Sequence, residues 1–167
     1  MSFRIVSVDG RYWQSFRDQR LEMLADSPKA FVETLDSATA QTDSQWQQRA
    51  EGTNSTVSCG FAAVDDTDAW LGIMRARIED GRVFLLGVYV SPAARGGGVA
   101  DALLREIEQW VYRQGHRTLT LEVHEANGRA QAFYRRMGFA TTGETVPYPL
   151  APDELEIVMA KQVVCAG

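Results

Sequence analysis

The chain has 167 residues, of which 45% are hydrophobic and 23% charged, which is typical of one compact domain that folds without disulfides or metals. Its 22 acidic and 17 basic side chains give a formal net charge of −5, which argues against a protein that coats nucleic acid, because such binding needs many cations to displace phosphate counterions. Its two cysteines, Cys59 and Cys165, form no CxxC pair, so the sequence predicts neither a zinc site nor a disulfide framework.

The sequence predicts a cytoplasmic protein. Its first ten residues lack the apolar segment of a signal peptide, and its longest apolar run, residues 83–90, is too short to cross a bilayer as a helix. We therefore expect neither secretion nor membrane insertion, and the few cysteines agree with a reducing compartment.

The first third of the chain predicts one strand and two helical stretches. Residues 3–8 have strand character and stop at a turn of Asp9 and Gly10. Apolar residues recur at helical spacing over 11–25, and a polar, glutamine-rich stretch follows over 30–49. No motif marks this part of the chain.

The middle of the chain predicts three strands and a long helix. Residues 56–64, 70–78 and 82–90 read as strands separated by short acidic turns, so they should form an antiparallel meander. The near-continuous apolar run in the third strand predicts burial on both faces. After Pro92 the apolar period becomes helical, with one stripe formed by Val99, Leu103, Ile107, Trp110 and Val111.

The last part of the chain predicts a strand, a short helix and two further strands. Strand 118–124 leads to Asn127, a capping residue for a helix that ends at Gly138. Residues 139–142 and 155–163 supply two strands on either side of a loop that contains Pro147, Pro149 and Pro152. We therefore predict a single α+β domain over residues 1–167, with a mixed sheet of six to seven strands flanked by about four helices.

The most informative segment is the turn after the third strand of the meander, Arg95-Gly96-Gly97-Gly98-Val99-Ala100. Glycines let backbone N–H groups approach an anion, and the following helix adds the positive end of its dipole, so a phosphate-bearing ligand is expected. The segment does not match GxxxxGK[ST], and the dinucleotide fingerprint would require glycine at Asp101. The alternative is a flexible connection without a ligand.

Two motifs resemble those of the GCN5-related N-acetyltransferases (GNAT). The first is the turn just described, preceded by Tyr-Val-Ser-Pro. The second, from Asn127 to Phe139, matches Asn-x-x-Ala-x-x-Phe/Leu-Tyr-x-x-x-Gly-Phe. The resemblance is specific over residues 82–143 and implies that this region binds acetyl-CoA, while residues 1–55 help to form the acceptor side. It implies no metal.

The resemblance also implies roles for individual residues. The backbone of Val88 and Val90 would pair with the pantetheine arm, and an N–H of Val88 or Tyr89 would polarise the thioester carbonyl. Asn127 would reach the pantetheine. The pyrophosphate would be held by Arg95, Gly96, Gly97, Gly98, Val99 and Ala100.

Tyr134 is the candidate general acid for the departing CoA thiolate. A phenol with a pKa of about 10 is protonated at neutral pH and can donate to a thiolate. The alternative is a core aromatic with a hydrogen-bonded hydroxyl, because Tyr134 shares a helical face with Ala130 and Met137.

Glu122 is the candidate general base, because the resemblance extends to acetyltransferases of protein N-termini in which a glutamate at this place serves as base. The alternative is a solvated glutamate on a strand face. Many family members instead carry a carboxylate on the strand before the glycine turn, and residues 83–90 contain none. His124 at the strand end is expected to face solvent, and Cys59 lacks the partners of a nucleophile.

The sequence therefore predicts an N-acetyltransferase that moves the acetyl group of acetyl-CoA to a primary amine of a small molecule by direct attack. The mildly acidic chain favours an acceptor that arrives as a cation. One alternative is transfer to a protein N-terminus or lysine, and another is a non-catalytic acyl-CoA sensor. The resemblance is also compatible with a homodimer, since dimers are common in that family.

Overall fold

The computed structural model describes residues 2–165, which form seven strands, five α-helices and two short 3₁₀ helices. The strands are β1 (Phe3–Ser7), β2 (Ser58–Asp65), β3 (Trp70–Glu79), β4 (Arg82–Val90), β5 (Thr118–His124), β6 (Ala140–Tyr148) and β7 (Ala151–Gln162). The α-helices are α1 (Trp13–Asp26), α2 (Leu35–Thr39), α3 (Asp43–Glu51), α4 (Val99–Arg113) and α5 (Gly128–Arg136). The predicted α+β architecture with a mixed sheet is confirmed.

One sheet contains all seven strands, in the order β1-β2-β3-β4-β5-β7-β6. The first four strands form the predicted antiparallel meander, β4 runs parallel to β5, and β7 lies between β5 and β6. β4 and β5 pair only at Val83–Leu119 and Phe84–Thr120. Beyond these pairs the two strands diverge, so the sheet splits into a V whose opening faces the carboxyl ends of both strands.

A bulge in β4 lies beside this opening. Between the pairs Arg75–Leu86 and Ile73–Tyr89, β4 has one residue more than β3. Gly87 takes a φ of +59°, which favours glycine. Such a bulge bends the strand and turns its backbone away from the regular ladder.

Two hydrophobic cores cover the two faces of the sheet. One core lies under α4 and α5 and includes Met74, Leu85 and Leu121. Every member of the predicted α4 stripe is buried in it: Val99, Leu103, Ile107, Trp110 and Val111. The other core lies under α1, α2 and α3 and includes Phe16 and Trp46. β4 is less buried than predicted, because Leu86 and Gly87 are only partly buried and line the opening. Val88 lines the opening and also packs against the core under α4.

The stretch 30–49 forms two short helices. The hydroxyl of Thr34 accepts a hydrogen bond from the Ser37 N–H and begins α2. Thr42 and Gln45 form a reciprocal capping box that begins α3.

The predicted loop around the prolines of the last third is wrong. β6 runs through Pro147, and β7 begins at Ala151, so only Pro149 and Leu150 form the turn. β6 is an edge strand, where a missing N–H is tolerated. Pro152 precedes Glu156, the residue at which the pairing of β7 with β5 begins. None of the helices in residues 2–165 has the length and apolar character needed to cross a membrane.

Candidate active site

The divergence of β4 and β5 opens into a cavity of about 610 Å³. Its walls come from both faces of the sheet and bring together the predicted acid, Tyr134, and the predicted base, Glu122. The cavity is also lined by Arg20, Phe31, Arg75, Leu86, Gly87, Val88, Pro149 and Glu156.

Tyr134 reaches the cavity from α5. Its ring packs edge-on against Phe133 and Phe139, with ring centroids 5.4 and 5.8 Å away. The hydroxyl has no hydrogen-bond partner among residues 2–165, so it is available to a ligand in the cavity. Burial raises the pKa of Tyr134, and the phenol is therefore protonated at neutral pH.

Glu122 reaches the cavity from the opposite face of the sheet. Its neighbours Leu121 and Val123 are buried in the core under α4, whereas Glu122 itself is exposed to the opening. Desolvation raises the pKa of Glu122, and Arg82 partly offsets this effect. The shift brings the carboxylate closer to the basicity that an ammonium proton requires.

Glu156 is a second carboxyl group at this site, and the sequence analysis missed it. It lies on β7 directly opposite His124 of β5, on the same sheet face as Glu122, and is only 5% exposed. Desolvation and the nearby charge of Glu122 raise the pKa of Glu156 to about 7. In the sequence, Glu156 lies between Leu155 and Ile157 like any solvent-facing residue of a strand. Only the strand order, with β7 beside β5, brings it to Glu122.

The expectation that His124 faces solvent is wrong. The β6–β7 hairpin covers the imidazole, which packs edge-on against Tyr148 at 4.9 Å between ring centroids. Its Nδ1 accepts a hydrogen bond from the Ala126 N–H, and its Nε2 lies 3.6 Å from a carboxylate oxygen of Glu154. The thiol of Cys59 is buried in the core, and this burial raises its pKa to about 12, which keeps it protonated.

The glycine turn has the geometry of an anion site. Gly96 and Gly98 have φ values of +81° and +83°, and a Cβ added at either residue would meet no heavy atom within 4 Å. Gly98 begins α4 without any side-chain cap, and the first hydrogen bond of the helix runs from the Ala102 N–H to the Gly98 carbonyl. The N–H groups of Val99, Ala100 and Asp101 therefore have no acceptor within residues 2–165, and such groups together with the helix dipole stabilise an anion.

Arg95, beside the turn, is held by protein groups. Its guanidinium donates to the carboxylate of Asp26 at 2.8 Å and to the Val90 carbonyl at 3.0 Å. The hydrogen bond from Arg95 lowers the pKa of Asp26. A phosphate at the turn would therefore compete with Asp26 for this side chain.

Asn127 caps α5, as predicted. Its side-chain oxygen accepts a hydrogen bond from the Ala130 N–H at 3.1 Å. The residue also borders a smaller cavity of about 260 Å³, which shares Ala30 with the larger one. No cluster of three or more histidine, cysteine or acidic side chains in residues 2–165 could hold a metal ion.

Comparison with known proteins yields one consistent family. Residues 19–139 match the acetyltransferase (GNAT) family. The chain is 31% identical to an IAA acetyltransferase of Azospirillum brasilense over 112 residues, which cover 67% of this chain and 64% of that protein. It is 39% identical to a streptothricin acetyltransferase of Streptomyces lavendulae over 84 residues, which cover 50% of this chain and 39% of that protein.

Solved structures share this fold. The crystal structure of an acetyltransferase of the GNAT family from Streptococcus pneumoniae matches with a TM-score of 0.77 and 16% identity, over 98% of this chain and all of that one. The matched region spans less than two thirds of the two curated relatives just named. Because the family match runs from α1 to Phe139 and includes the glycine turn and Tyr134, the chain belongs to the GNAT family of acetyltransferases.

Proposed function

We propose that this protein transfers the acetyl group of acetyl-CoA to a primary amine of a small molecule. The observation that carries the proposal is the gap between β4 and β5, where one cavity meets a phenol from one sheet face and two carboxyl groups from the other. This arrangement supplies an acid and a base on opposite sides of one opening, which acyl transfer from a thiol to an amine requires.

The donor would occupy the gap as an additional strand. In this arrangement the backbone of Val88 and Val90 pairs with the pantetheine arm, and Asn127 binds the arm from the second cavity. The N–H of Val88 or Tyr89 faces the thioester carbonyl. The bulge at Gly87 supports this role, because it turns the backbone out of the β3 ladder and towards the opening.

The pyrophosphate would bind at the start of α4. The N–H groups of Gly96, Gly98, Val99 and Ala100 provide the donors, whereas the Gly97 N–H is bonded to the Ala94 carbonyl at 3.3 Å. The absence of side chains at Gly96 and Gly98 leaves the approach open. Arg95 would exchange its contact with Asp26 for a charge-assisted hydrogen bond to phosphate.

The transfer would proceed by direct attack. Glu156, or Glu122 through a water molecule, removes a proton from the substrate ammonium. The amine nitrogen then attacks the thioester carbon, and the N–H at Val88 or Tyr89 stabilises the oxyanion. The C–S bond breaks, the sulfur takes the phenolic proton of Tyr134, and the nitrogen loses its second proton to solvent. A solvent proton then restores the phenol, and the protonated carboxyl group returns its proton to solvent. The products are the acetylated amine and CoA, without a covalent enzyme intermediate.

The proposal is tested with a panel of primary amines that includes peptides with free N-termini, using release of the CoA thiol as the readout. At least one small amine should release thiol at a rate far above hydrolysis. Tyr134→Phe should bind acetyl-CoA as the unmodified protein does and should turn over roughly 10²-fold or more slowly, because it removes the general acid.

Two outcomes would replace the proposal. Tight acetyl-CoA binding without thiol release across the panel would identify a sensor of acyl-CoA. Release that is fastest with peptides would identify an acetyltransferase of protein amines. Turnover that is unchanged in Tyr134→Phe would remove the assignment of the acid.

A further inference from the structure

Three arginines and a single carboxylate cluster beside the cavity, on the face covered by α1, α2 and α3, and two of the arginines, Arg20 and Arg75, line the cavity itself. Arg20 and Arg49 both contact Glu33, at 3.5 and 3.0 Å, and Arg20 and Glu33 are only 12% and 11% exposed. Arg75 of β3 lies beside them and forms no ion pair within residues 2–165. This cluster, which we call the arginine wall (Arg20, Arg49, Arg75), therefore carries an uncompensated positive charge.

The arginine wall lies next to the reaction centre. A Cβ added at Gly87, in the bulge, would lie 3.5 Å from Cδ of Arg75 and 3.9 Å from Nη1 of Arg20. Both arginines line the cavity of about 610 Å³ that also contains Glu122 and Glu156. The sheet order places the arginine wall on the β3 side of the opening and the two carboxyl groups on the β5 and β7 side.

Arg75 lacks the partners that a buried cation requires. Its Nε is buried without a hydrogen-bond partner in the described part of the chain, and its guanidinium lies 5.9 Å from the Phe16 ring. Desolvation and the charges of Arg20 and Arg49 lower the pKa of Arg75 to about 10, so the group is still charged at neutral pH. An unpaired buried charge is costly, and an anion bound here would relieve that cost.

The other charged groups around the cavity do not neutralise the arginine wall. Arg77 pairs with Glu79 at 2.9 Å, and Arg82 pairs with Glu144 at 3.4 Å. Both pairs are exposed at the rim, and so is Asp80, which lines the cavity from the turn between β3 and β4. The cavity therefore has a cationic side and an anionic side, separated by the opening where the strands diverge.

We propose that the acceptor is zwitterionic, an amino acid or a close analogue, whose carboxylate binds Arg75 and Arg20 while its amine faces Glu122 and Glu156. The planar fork of a guanidinium matches a carboxylate in geometry and charge. The cavity must hold both the thioester end of the donor and the acceptor, which favours a small molecule. This inference rests on the proposed acetyl transfer and specifies its substrate class.

The test compares each proteinogenic amino acid with its primary amide and with its decarboxylated amine, using release of the CoA thiol to obtain kcat/KM. The preferred amino acid should exceed its amide by roughly 10- to 100-fold, because the amide lacks the charge that the arginine wall binds. Arg75→Gln should remove this preference, mainly through KM. Arg105→Gln, an exposed arginine of α4 on the other side of the sheet, is the matched control and should retain it.

The outcomes separate this inference from the proposed function. Amides or simple amines that react as fast as the amino acids would overturn the inference and leave acetyl transfer intact. A failure of every acceptor to release thiol would overturn the proposed function and the inference together. If Arg75→Gln does not fold, Arg75→Lys and the comparison of acid with amide in the unmodified protein still decide the question. Arg75→Lys keeps the charge without the fork and should show an intermediate preference.

Discussion

Glu122 and Glu156 lie on one sheet face of neighbouring strands, and at the residue scale their environments differ. Desolvation and the charge of Glu122 raise the pKa of Glu156 to about 7. The pKa of Glu122 is raised mainly by desolvation and is lowered in part by Arg82. Glu156 is therefore a base that is far better matched to an ammonium than an ordinary glutamate is.

Replacement of this carboxyl group tests the base. In the unmodified protein, kcat/KM should rise with pH through about 7, because the deprotonated form of Glu156 accepts the proton. Glu156→Gln should lose this rise and fall by roughly 10²-fold at neutral pH. The measurement is the pH profile of kcat/KM, with Asp153→Asn, an exposed acid of the same strand, as the control. A profile that is unchanged in Glu156→Gln would assign the base to Glu122 or to water.

The same variant has a stability readout. A carboxyl whose pKa is raised in the folded state contributes stability below its ordinary pKa, and this contribution is lost as the pH rises through about 7. The unfolding temperature of Glu156→Gln should therefore rise relative to that of the unmodified protein as the pH is raised from about 5 to about 8. An effect of opposite sign would show that the native environment stabilises the charged form.

The sequence alone indicates a role at the site for some of these residues but not for others, and the difference has a physical reason. Tyr134 and Glu122 could be named because each lies within or beside a motif of characteristic spacing. Glu156 and Arg75 each lie on a strand in an alternating pattern, which is the same for a residue facing solvent and for one facing a cavity. Their role depends on which strands and helices lie opposite, and local sequence does not contain that information.

At the scale of the element, the start of α4 combines a structural and a binding requirement. The positive φ of Gly98 permits the turn, and the absence of a Cβ leaves the space above the first N–H groups open. Gly115 ends the same helix with a φ of +86°, also with no atom within 4 Å of an added Cβ. The two glycines therefore carry similar backbone strain on substitution, but only Gly98 lies at the proposed pyrophosphate site.

This pair allows strain to be separated from binding. Gly98→Ala and Gly115→Ala should each lower the free energy of unfolding by about 1 kcal/mol, because a Cβ disfavours a left-handed conformation. Only Gly98→Ala should also weaken the binding of acetyl-CoA, as measured by calorimetric titration. Equal affinity in the two variants would mean that the turn is a connection without a ligand.

Element boundaries were predicted best where local signals determine them. The bounds of β4 and β5 coincide with the expectation, and α4 ends at Arg113 before its glycine. The stretch 30–49 was less well predicted, because its division depends on threonine caps in a segment with few apolar residues. The two strands of the β6–β7 hairpin were predicted too short, because a proline is compatible with a strand chiefly when that strand lies at an edge, and the edge is a property of the whole sheet.

At the scale of the whole molecule, two half-sheets meet at only two residue pairs of β4 and β5. A donor that binds as a strand would complete the hydrogen bonds that each half leaves unmade. Acetyl-CoA should therefore slow amide hydrogen exchange in the second half of β4, residues 86–90. Amides in β2, which are paired with β3 in any case, should change little. Protection confined to the glycine turn would contradict a strand-like mode of binding.

Net charge and local charge differ in this molecule. The overall charge of −5 favours a cationic acceptor at long range. The arginine wall beside the opening favours an anionic group at short range, where burial strengthens the interaction. Net charge therefore argues against a protein that coats nucleic acid, but it does not select a substrate.

The gap in the sheet also bears on the sequence of events in a catalytic cycle. Without a donor, the side of the acceptor site that faces the β4–β5 opening is empty space, because β4 and β5 have separated there. The thioester arm itself would fill that space and become part of the surface against which the acceptor packs. If the donor binds in this gap as proposed, we expect it to add before the amine, and we expect CoA to leave after the acetylated product.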